Sequence, residues 1–403
     1  MVESYYNLLG TVLTQSPLRT GVSRRELWIG TFLFFYPILI SYQPFFVKEI
    51  QFLIINIRLL GGPILILLFL RYEFDILLLL ASVTYFFTLS LFFPPANTQQ
   101  LFLTSVSIFA SITYFKLGYF LQEVNIDRKI YVYLAYGVTA VNVSTFILYY
   151  LMGNGYISME LIFEIIQRNP INNLFRFSLG NSIELPLTLS CLLYAAVVLN
   201  KKRNNFLFPT LINLLAALLA QSRIVIIIAS ILFFREFISS NKKSKVIFYV
   251  LLIALVPYVI EEFNTQLEIF LDRVSGRDDG SAQDRSNILN NFINNVGISI
   301  IFFGRGLTSS FGFMVQYLGE WRSIESAFLQ LIYELGLIGT FLFFMNCIFK
   351  KDKIHVPNND IILYLSYVQV LFFLPINPLS PTIFLLFGVC SHVVHIKHTN
   401  YIL

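Results

Sequence analysis

Apolar runs close to the ~20 residues that a bilayer-spanning helix needs follow one another along most of the chain, separated by short islands of charge. Charged residues make up 13% of the sequence and hydrophobic residues 56%, a balance too apolar for a water-soluble surface. We therefore predict an all-α polytopic membrane protein in which residues 1–403 form a single integral membrane domain.

The apolar runs predict about twelve transmembrane helices. Their predicted first residues are Leu27, Ile50, Phe74, Gln100, Ile130, Ile183, Phe206, Ile224, Val246, Ser326, Ile361 and Leu379. The run 224–234 is short, so Gln221–Arg223 is either a turn between two spans or a break between half-spans. The longest hydrophilic stretches, 152–182 and 261–325, become a first outer loop and a large outer loop that carries short amphipathic helices.

The basic residues orient this topology. With a cytoplasmic amino terminus, eighteen of the 28 Lys and Arg residues fall on the cytoplasmic side, as the positive-inside rule requires. Among the residues assigned to that side are Lys116, Arg235, Lys242, Lys350, Lys353 and Asp360, while His355, His392 and His395 fall there or in the last span. Both termini are then cytoplasmic. The net charge of +5 follows from this bias and is no argument for nucleic-acid binding.

The remaining cations, on the outer face or within spans, are arginines except for Lys48. They are Arg58, Arg168, Arg176, Arg223, Arg273, Arg277, Arg285, Arg305 and Arg322. A guanidinium grips phosphate or carboxylate in a planar, bidentate way, so one interpretation is a phosphate-rich ligand on the outer face. The alternative is that these arginines pair with outer acids or reach lipid headgroups.

Within the large outer loop, Ser281–Asp284 is the pattern of a capping box that opens a helix, with Arg285 in its first turn. An apolar stripe follows at helical spacing, formed by Ile288, Leu289, Phe292, Ile293 and Val296. This helix is predicted to lie on the membrane surface or on the protein core. Its amino terminus is either an anion site or an ordinary helix end beside a solvated arginine.

Two glutamates are the candidate acids near the end of this loop. Glu325 stands where the loop re-enters a span and is the best-placed base, although it also suits a helix amino terminus. Glu334 lies inside an apolar run, so a structural ion pair with an arginine is the favoured interpretation. Gly336 and Gly339 allow close helix approach. The acids Asp278, Asp279 and Asp284 match no calcium-loop spacing.

Together these segments resemble the O-antigen polymerase and ligase superfamily of bacterial membrane enzymes. The resemblance rests on Arg176–Asn181, Gln221–Arg223, Ser275–Arg277, Asp284–Leu289, Phe303–Leu307, Glu325–Leu329 and Glu334–Gly339. The ligases carry a histidine where this chain has Glu325, a departure that favours a Wzy-type polymerase.

The resemblance implies that lipid-linked repeat units are joined into O-antigen or capsular-type polysaccharide on the outer face of the bacterial cytoplasmic membrane. The reaction would be a metal-independent, inverting glycosyl transfer between undecaprenyl-diphosphate-linked oligosaccharides, with no cofactor. Glu325, Arg223 and Arg285 would be catalytic, and Arg176, Arg223, Arg277, Arg285 and Arg305 would bind the diphosphate. The implied partners are the repeat units, the lipid bilayer and a chain-length regulator in the membrane. The alternatives are an O-antigen ligase that transfers glycan to lipid A core and a flippase for the lipid-linked unit.

Overall fold

The fold is known from a computed structural model of the chain. The structure describes residues 24–47, 50–51, 76–93, 98–123, 130–165, 184–200, 206–220, 222–242, 245–246, 249–250, 280–319, 324, 326–350, 353–357, 359–373 and 380–395. The helices are α1 (Arg24–Tyr42, followed by the 3-10 turn Gln43–Phe45), α2 (Ile76–Phe92), α3 (Thr98–Glu123), α4 (Ile130–Gly153), α5 (Met159–Ile165), α6 (Glu184–Leu199), α7 (Leu207–Ala220), α8 (Arg223–Ser239), α9 (Gly280–Asn295), α10 (Ile298–Phe303), α11 (Ser309–Leu318), α12 (Ala327–Ile348), α13 (Ile361–Phe373) and α14 (Ser380–Val389). The strands are β1 (Phe349–Lys350), β2 (Lys353–Pro357) and β3 (Ser391–His395).

Ten of the twelve predicted spans coincide with one of these helices, and their first residues differ by three positions or fewer. The spans predicted from Ile50 and Val246 lie mostly outside the described residues. By length and composition, two stretches of the described chain suffice to cross a membrane, Tyr131–Gly153 and Ala327–Ile348, and shorter apolar helices accompany them. The helical prediction is confirmed for this part of the chain, while twelve crossings stay a prediction.

Helices α7 and α8 form a hairpin. Leu207, at the start of α7, packs against Phe233 near the end of α8, with Leu211, Leu214 and Phe237 around them. The two helices therefore run antiparallel, and the interpretation of Gln221–Arg223 as a break between half-spans is wrong. Ser222 and Arg223 lie instead at the tip of the hairpin.

Glycine and small polar groups hold the helices of the main core together. Gly118 of α3 faces Gly388 of α14, and a Cβ atom at Gly388 would lie 1.9 Å from the carbonyl oxygen of Phe115. The buried amide of Asn142 donates to Asn213 (3.2 Å), which in turn donates to the hydroxyl of Ser190 (3.0 Å). This chain of hydrogen bonds ties α4, α7 and α6 together and gives each buried amide a partner.

A small antiparallel sheet, which the sequence analysis did not predict, follows α12. Strand β2 lies between β1 and β3, with Ile354 opposite Phe349 and Val394. The ammonium of Lys116 in α3 donates to the carbonyl oxygen of Phe349 (3.1 Å). All of these segments were assigned to the cytoplasmic side or to the last span, so the sheet agrees with the predicted sidedness.

An ion pair agrees with the same sidedness. Arg235 at the end of α8 contacts Asp360, the residue before α13, at 2.9 Å. Arg235 also donates to the hydroxyl of Tyr194 in α6 (3.0 Å). Both charged residues were assigned to the cytoplasmic side, and their contact requires them to lie on one side.

Candidate functional site: the outer helices and the broken helix α12

Helix α12 is broken at Gly336. This residue has φ 69° and ψ 177°, a conformation that favours glycine because a side chain would be strained there. The break leaves the carbonyl groups of the preceding turn without partners inside the helix. Those of Tyr333, Glu334 and Leu335 therefore need donors from elsewhere in the chain.

Residues 304–306 and the hydroxyl of Tyr85 supply these donors. The N–H of Arg305 donates to the carbonyl of Tyr333 (2.8 Å), and the N–H of Gly306 donates to that of Glu334 (2.9 Å). The hydroxyl oxygen of Tyr85 lies 2.9 Å from the carbonyl oxygens of both Leu335 and Phe303. We call this arrangement, Gly304–Gly306 against Gly336, the glycine junction.

The junction has no space for side chains at two of its glycines. A Cβ atom at Gly304 would lie 2.5 Å from the carbonyl oxygen of Glu334, and one at Gly336 would lie 2.3 Å from that of Phe302. Gly304 and Gly306 also have positive φ, 76° and 87°. The expectation of close helix approach is thus confirmed at Gly336, and at Gly339 too, where a Cβ atom would lie 2.8 Å from the ring of Tyr85.

The carboxylate of Glu334 caps helix α11. Glu334 is buried, and its carboxylate accepts hydrogen bonds from the hydroxyl of Ser310 and from the N–H groups of Thr308 and Ser310. The amide of Gln330 adds a fourth donor at 3.3 Å. An anion at the positive end of a helix is favourable, and these donors replace the water that burial removes.

The prediction that Glu334 pairs with an arginine is therefore wrong for the part of the chain that the structure describes. Its partners there are a hydroxyl, an amide and backbone N–H groups. The structural role was correctly expected, but a helix amino terminus takes the place of the guanidinium. Thr308, the residue that turns the chain into α11, has φ 70°, a strained conformation for a β-branched residue.

An aromatic cluster fills the space between α9, α11 and α12. The ring centroids of Phe313 and Tyr333 are 5.2 Å apart, those of Phe313 and Tyr317 are 4.9 Å apart, and Phe292 of α9 lies 6.0 Å from Phe313. Such offset and tilted pairs hold helices at fixed angles. The cluster packs α9 and α11 against the first half of α12. Helices α9–α11 lie in the predicted large outer loop, and we call them the outer helices or, together, the outer unit.

Arg305 projects from this unit. Its side chain is exposed, and one guanidinium nitrogen lies 3.4 Å from the hydroxyl of Tyr333, to which it donates. Its backbone is fixed in the glycine junction. The backbone of Arg305 is therefore held at a defined place, and its exposed guanidinium has further donors besides the one that contacts Tyr333.

Arg285 belongs to the same unit through α9. The face of α9 with Ile288, Phe292 and Val296 is buried, and Arg285 is half-buried. The predicted stripe is only partly correct, because Leu289 and Ile293 are 45% and 66% exposed. These two side chains lie beside the packing face, and the helix contacts the core over a narrower arc than five apolar residues suggest.

The predicted start of α9 is also corrected. The helix already begins at Gly280, so Ser281 is within it and is not the cap. Arg285 is consequently the sixth helical residue and lies in the second turn instead of the first. The helix end remains near, but Arg285 and the terminal N–H groups do not share the first turn, on which the predicted anion site depended.

Arg223 is the first residue of α8, at the tip of the α7–α8 hairpin, and its side chain is exposed. Ser222 is its N-cap residue. A cation here adds to the positive end of the helix dipole, which raises the potential that an anion meets. The tip therefore offers two sources of positive potential in one place.

Three predicted site residues, Arg176, Arg277 and Glu325, lie outside the described residues. The neighbour of Glu325 is described: Ser326 is the N-cap of α12, and its hydroxyl accepts from the N–H of Leu329 (3.2 Å). Ser326 therefore caps α12, and both interpretations of Glu325, as a base and as an acid that favours the helix amino terminus, stay predictions.

Tyr85, Thr308 and Ser310 are structural residues of the site that the sequence analysis did not find. Tyr85 lies in an apolar run among other aromatic residues, and nothing in the sequence distinguishes it. Thr308–Ser310 carried a signal, since hydroxyl residues favour helix starts and this run follows two closely spaced glycines. Their acceptor, Glu334, is 24 residues away from Ser310 and no local pattern connects them.

A family model described as O-antigen ligase matches residues 208–344, about a third of the chain. The matched segment contains Arg223, Arg285, Arg305, Glu334 and the glycine junction. No curated protein and no solved structure matches the chain. The match covers motifs that carry the resemblance, so residues 208–344 are similar to the O-antigen polymerase and ligase superfamily, and together with the apolar helices the match indicates a membrane protein.

Proposed function

We propose that the chain is a polymerase that joins undecaprenyl-diphosphate-linked oligosaccharide repeat units on the outer face of the bacterial cytoplasmic membrane. The family that residues 208–344 match comprises ligases and polymerases of the glycosyltransferase type, and this match supports the coarse activity. The choice of polymerase rests on Glu325, which stands where ligases of the family carry a histidine.

The observation that carries the proposal is the arrangement of arginines in the family-matched segment. Arg223 begins a helix at a hairpin tip, and Arg305 projects from a backbone that the glycine junction fixes. Arg285 lies on a helix of the same outer unit as Arg305. Guanidinium groups on preorganised backbones can bind a diphosphate and stabilise the negative charge that grows on it as it leaves the sugar.

In the proposed reaction, the acceptor sugar hydroxyl attacks the anomeric carbon of the donor, and the bond from that carbon to the diphosphate oxygen breaks. The diphosphate leaves with the electron pair, and the configuration at the carbon inverts. Arg223 and Arg285 stabilise the leaving charge, and Arg176, Arg277 and Arg305 bind the same diphosphate. The carboxylate of Glu325 accepts the proton of the acceptor hydroxyl.

Reconstitution tests this proposal. The purified full chain in vesicles, given synthetic undecaprenyl-diphosphate repeat units, should yield a ladder of polymers that EDTA does not change. Arg223→Ala and Glu325→Gln should abolish the ladder, while Arg223→Lys, which keeps the charge but loses the planar fork, should retain part of it. Lys242→Ala removes an exposed cation from the segment assigned to the cytoplasm and should leave the ladder intact. A full ladder from both site variants would contradict the site assignment.

The second candidate is an O-antigen ligase, which the description of the matching family model favours. A ligase would transfer the glycan to lipid A core instead of extending it. Adding lipid A core to the same vesicles separates the two activities, because a ligase labels the core and makes no ladder. In a deletion strain, loss of the polymerase leaves single repeat units on the core, whereas loss of the ligase leaves none.

A further inference from the structure

Helix α10 presents large apolar side chains away from the protein. Ile298 is 75% exposed, Phe302 48% and Phe303 58%. From Val296 to Gly304 the chain contains no charged residue. Burial of side chains of this size is favourable, so leaving all three in water would be unfavourable.

Two contacts define the depth of the end of α10 relative to α2. The carbonyl oxygen of Phe303 lies 2.9 Å from the hydroxyl of Tyr85, which is seven residues before the end of α2 at Phe92. Further along, a Cβ atom at Gly306 would lie 2.9 Å from the Cβ atom of Phe93. The segment 303–306 therefore runs beside the last turns of α2 and does not lie above its end.

The neighbouring surfaces of α12 and α2 are also apolar and exposed. After the break at Gly336, Leu337 is 39% exposed and Phe341 is 60% exposed. At the outer end of α2, Leu91 and Phe92 are 68% and 75% exposed. In a membrane protein such surfaces face acyl chains, because no aqueous environment favours them. Helix α10 lies next to both surfaces, because Phe302 contacts Gly336 of α12 and Phe303 contacts Tyr85 of α2.

We propose that α10 inserts into the outer leaflet of the bilayer and that lipid acyl chains cover Ile298, Phe302 and Phe303. The contacts at Phe303 and Gly306 hold the helix at that depth, and the absence of charge in its sequence permits the insertion. Arg305, which follows α10 directly, then lies near the headgroups. If the proposed function is correct, that is the level of the diphosphate of a lipid-linked substrate; the insertion itself does not depend on that function.

Depth-dependent fluorescence quenching tests the insertion. The chain has two tryptophans, so Trp28→Phe and Trp321→Phe provide a silent background. Phe302→Trp in this background reports on α10, and Asn294→Trp, on the exposed polar side of α9, is the matched control. The full chain is reconstituted in phosphatidylcholine vesicles brominated near the headgroup end or near the methyl end of the acyl chains.

The tryptophan at position 302 should lose most of its emission with shallow bromines, less with deep bromines, and little with aqueous iodide. The tryptophan at position 294 should respond to iodide and not to brominated lipid. If position 302 behaves as position 294 does, α10 faces water and the proposal is wrong. If neither quencher reaches position 302, protein such as a second copy of the chain covers it, which also overturns the proposal. Phe303→Trp repeats the measurement should Phe302→Trp fail to fold.

Discussion

The hydroxyl of Ser310 donates a hydrogen bond to the carboxylate of Glu334, and this contact connects an outer helix to the buried side of the broken helix α12. The carboxylate takes the place of the water that would otherwise solvate the first N–H groups of α11. A buried acid in an apolar run therefore has a structural partner 24 residues away. This cap holds the outer unit on α12 just before the break at Gly336, and the glycine junction holds it at the break itself.

Replacing Glu334 by Leu should destabilise the protein by about 2–4 kcal/mol, because several buried donors of α11 lose their acceptor together. Ser310→Ala removes one of these hydrogen bonds and should cost about 1 kcal/mol. The measurement is the loss of monodisperse protein during heating in detergent, followed by tryptophan emission and size-exclusion chromatography. Equal stability of wild type and Glu334→Leu would show that the cap contributes nothing.

Gly336→Ala should disrupt the glycine junction. The new Cβ atom would lie 2.3 Å from a backbone carbonyl oxygen, and the positive φ adds strain, so we expect a cost of about 2 kcal/mol or more. Gly312→Ala is the matched control, since Gly312 lies within helix α11 and a Cβ atom there would meet nothing within 4 Å. At that position alanine should stabilise the helix by about 0.5–1 kcal/mol. Opposite signs in thermal stability are expected, and equal effects would contradict the packing described.

Tyr85→Phe should loosen the outer unit without emptying the space that the ring fills. The carbonyl groups of Leu335 and Phe303 lose their hydroxyl donor, at a cost of about 1–2 kcal/mol. Since the ring also packs on Gly339, Tyr85→Ala should cost more. Tyr136→Phe, at an exposed position of α4, should change nothing. Proteolysis of the outer helices under native conditions measures the loosening, and unchanged protection in Tyr85→Phe would contradict it.

The sequence predicted most of the helices because their apolar runs are long and are bounded by charge. It predicted neither the break in α12 nor the sheet. In the sequence, Gly336 is one more small residue in an apolar run. The break becomes evident only from the carbonyl groups that it frees and from the distant segment Gly304–Gly306 that donates to them. The strands of two to five residues are too short for their alternation to stand out beside apolar helices.

The sequence singled out the outer arginines because arginine is an unusual residue at positions so close to the predicted spans. What each contacts depends on tertiary structure. The carboxylate of Glu334 needed donors, and the sequence offered arginines as the obvious ones, but the folded chain supplies N–H groups from a helix start. Leu289 and Ile293 fit a stripe by periodicity, yet only the placement of α11 and α12 decides which part of it is buried.

The ion pair between Arg235 and Asp360 should make stability depend on acidity. Burial raises the pKa of Asp360, but hydrogen bonds from Tyr194, the N–H of Ile362 and Arg235 outweigh it, and the net pKa is below its ordinary value of 3.8. The folded state therefore gains stability above that value and loses it as the pH falls through the lowered pKa. Because Arg235 is half-exposed, the gain is about 1 kcal/mol or less. Asp360→Asn should be less stable than wild type at neutral pH, and the difference should shrink as the pH falls below about 4 and vanish below the lowered pKa; a constant difference would contradict the assignment.

Arg305→Ala should weaken the interaction with a lipid-linked diphosphate and leave the fold intact, because only the backbone of Arg305 takes part in the glycine junction. A lost hydrogen bond to a charged group costs about 1.5–3 kcal/mol, which corresponds to roughly a 10- to 100-fold lower rate of polymer formation at limiting substrate. Arg305→Lys should recover part of the rate, since it restores the charge without the planar fork. The rate is read from the ladder formed by the reconstituted protein, and thermal stability equal to wild type is the control for folding. A wild-type ladder from Arg305→Ala would remove Arg305 from the binding site while leaving the roles of Arg223 and Arg285 open to their own variants.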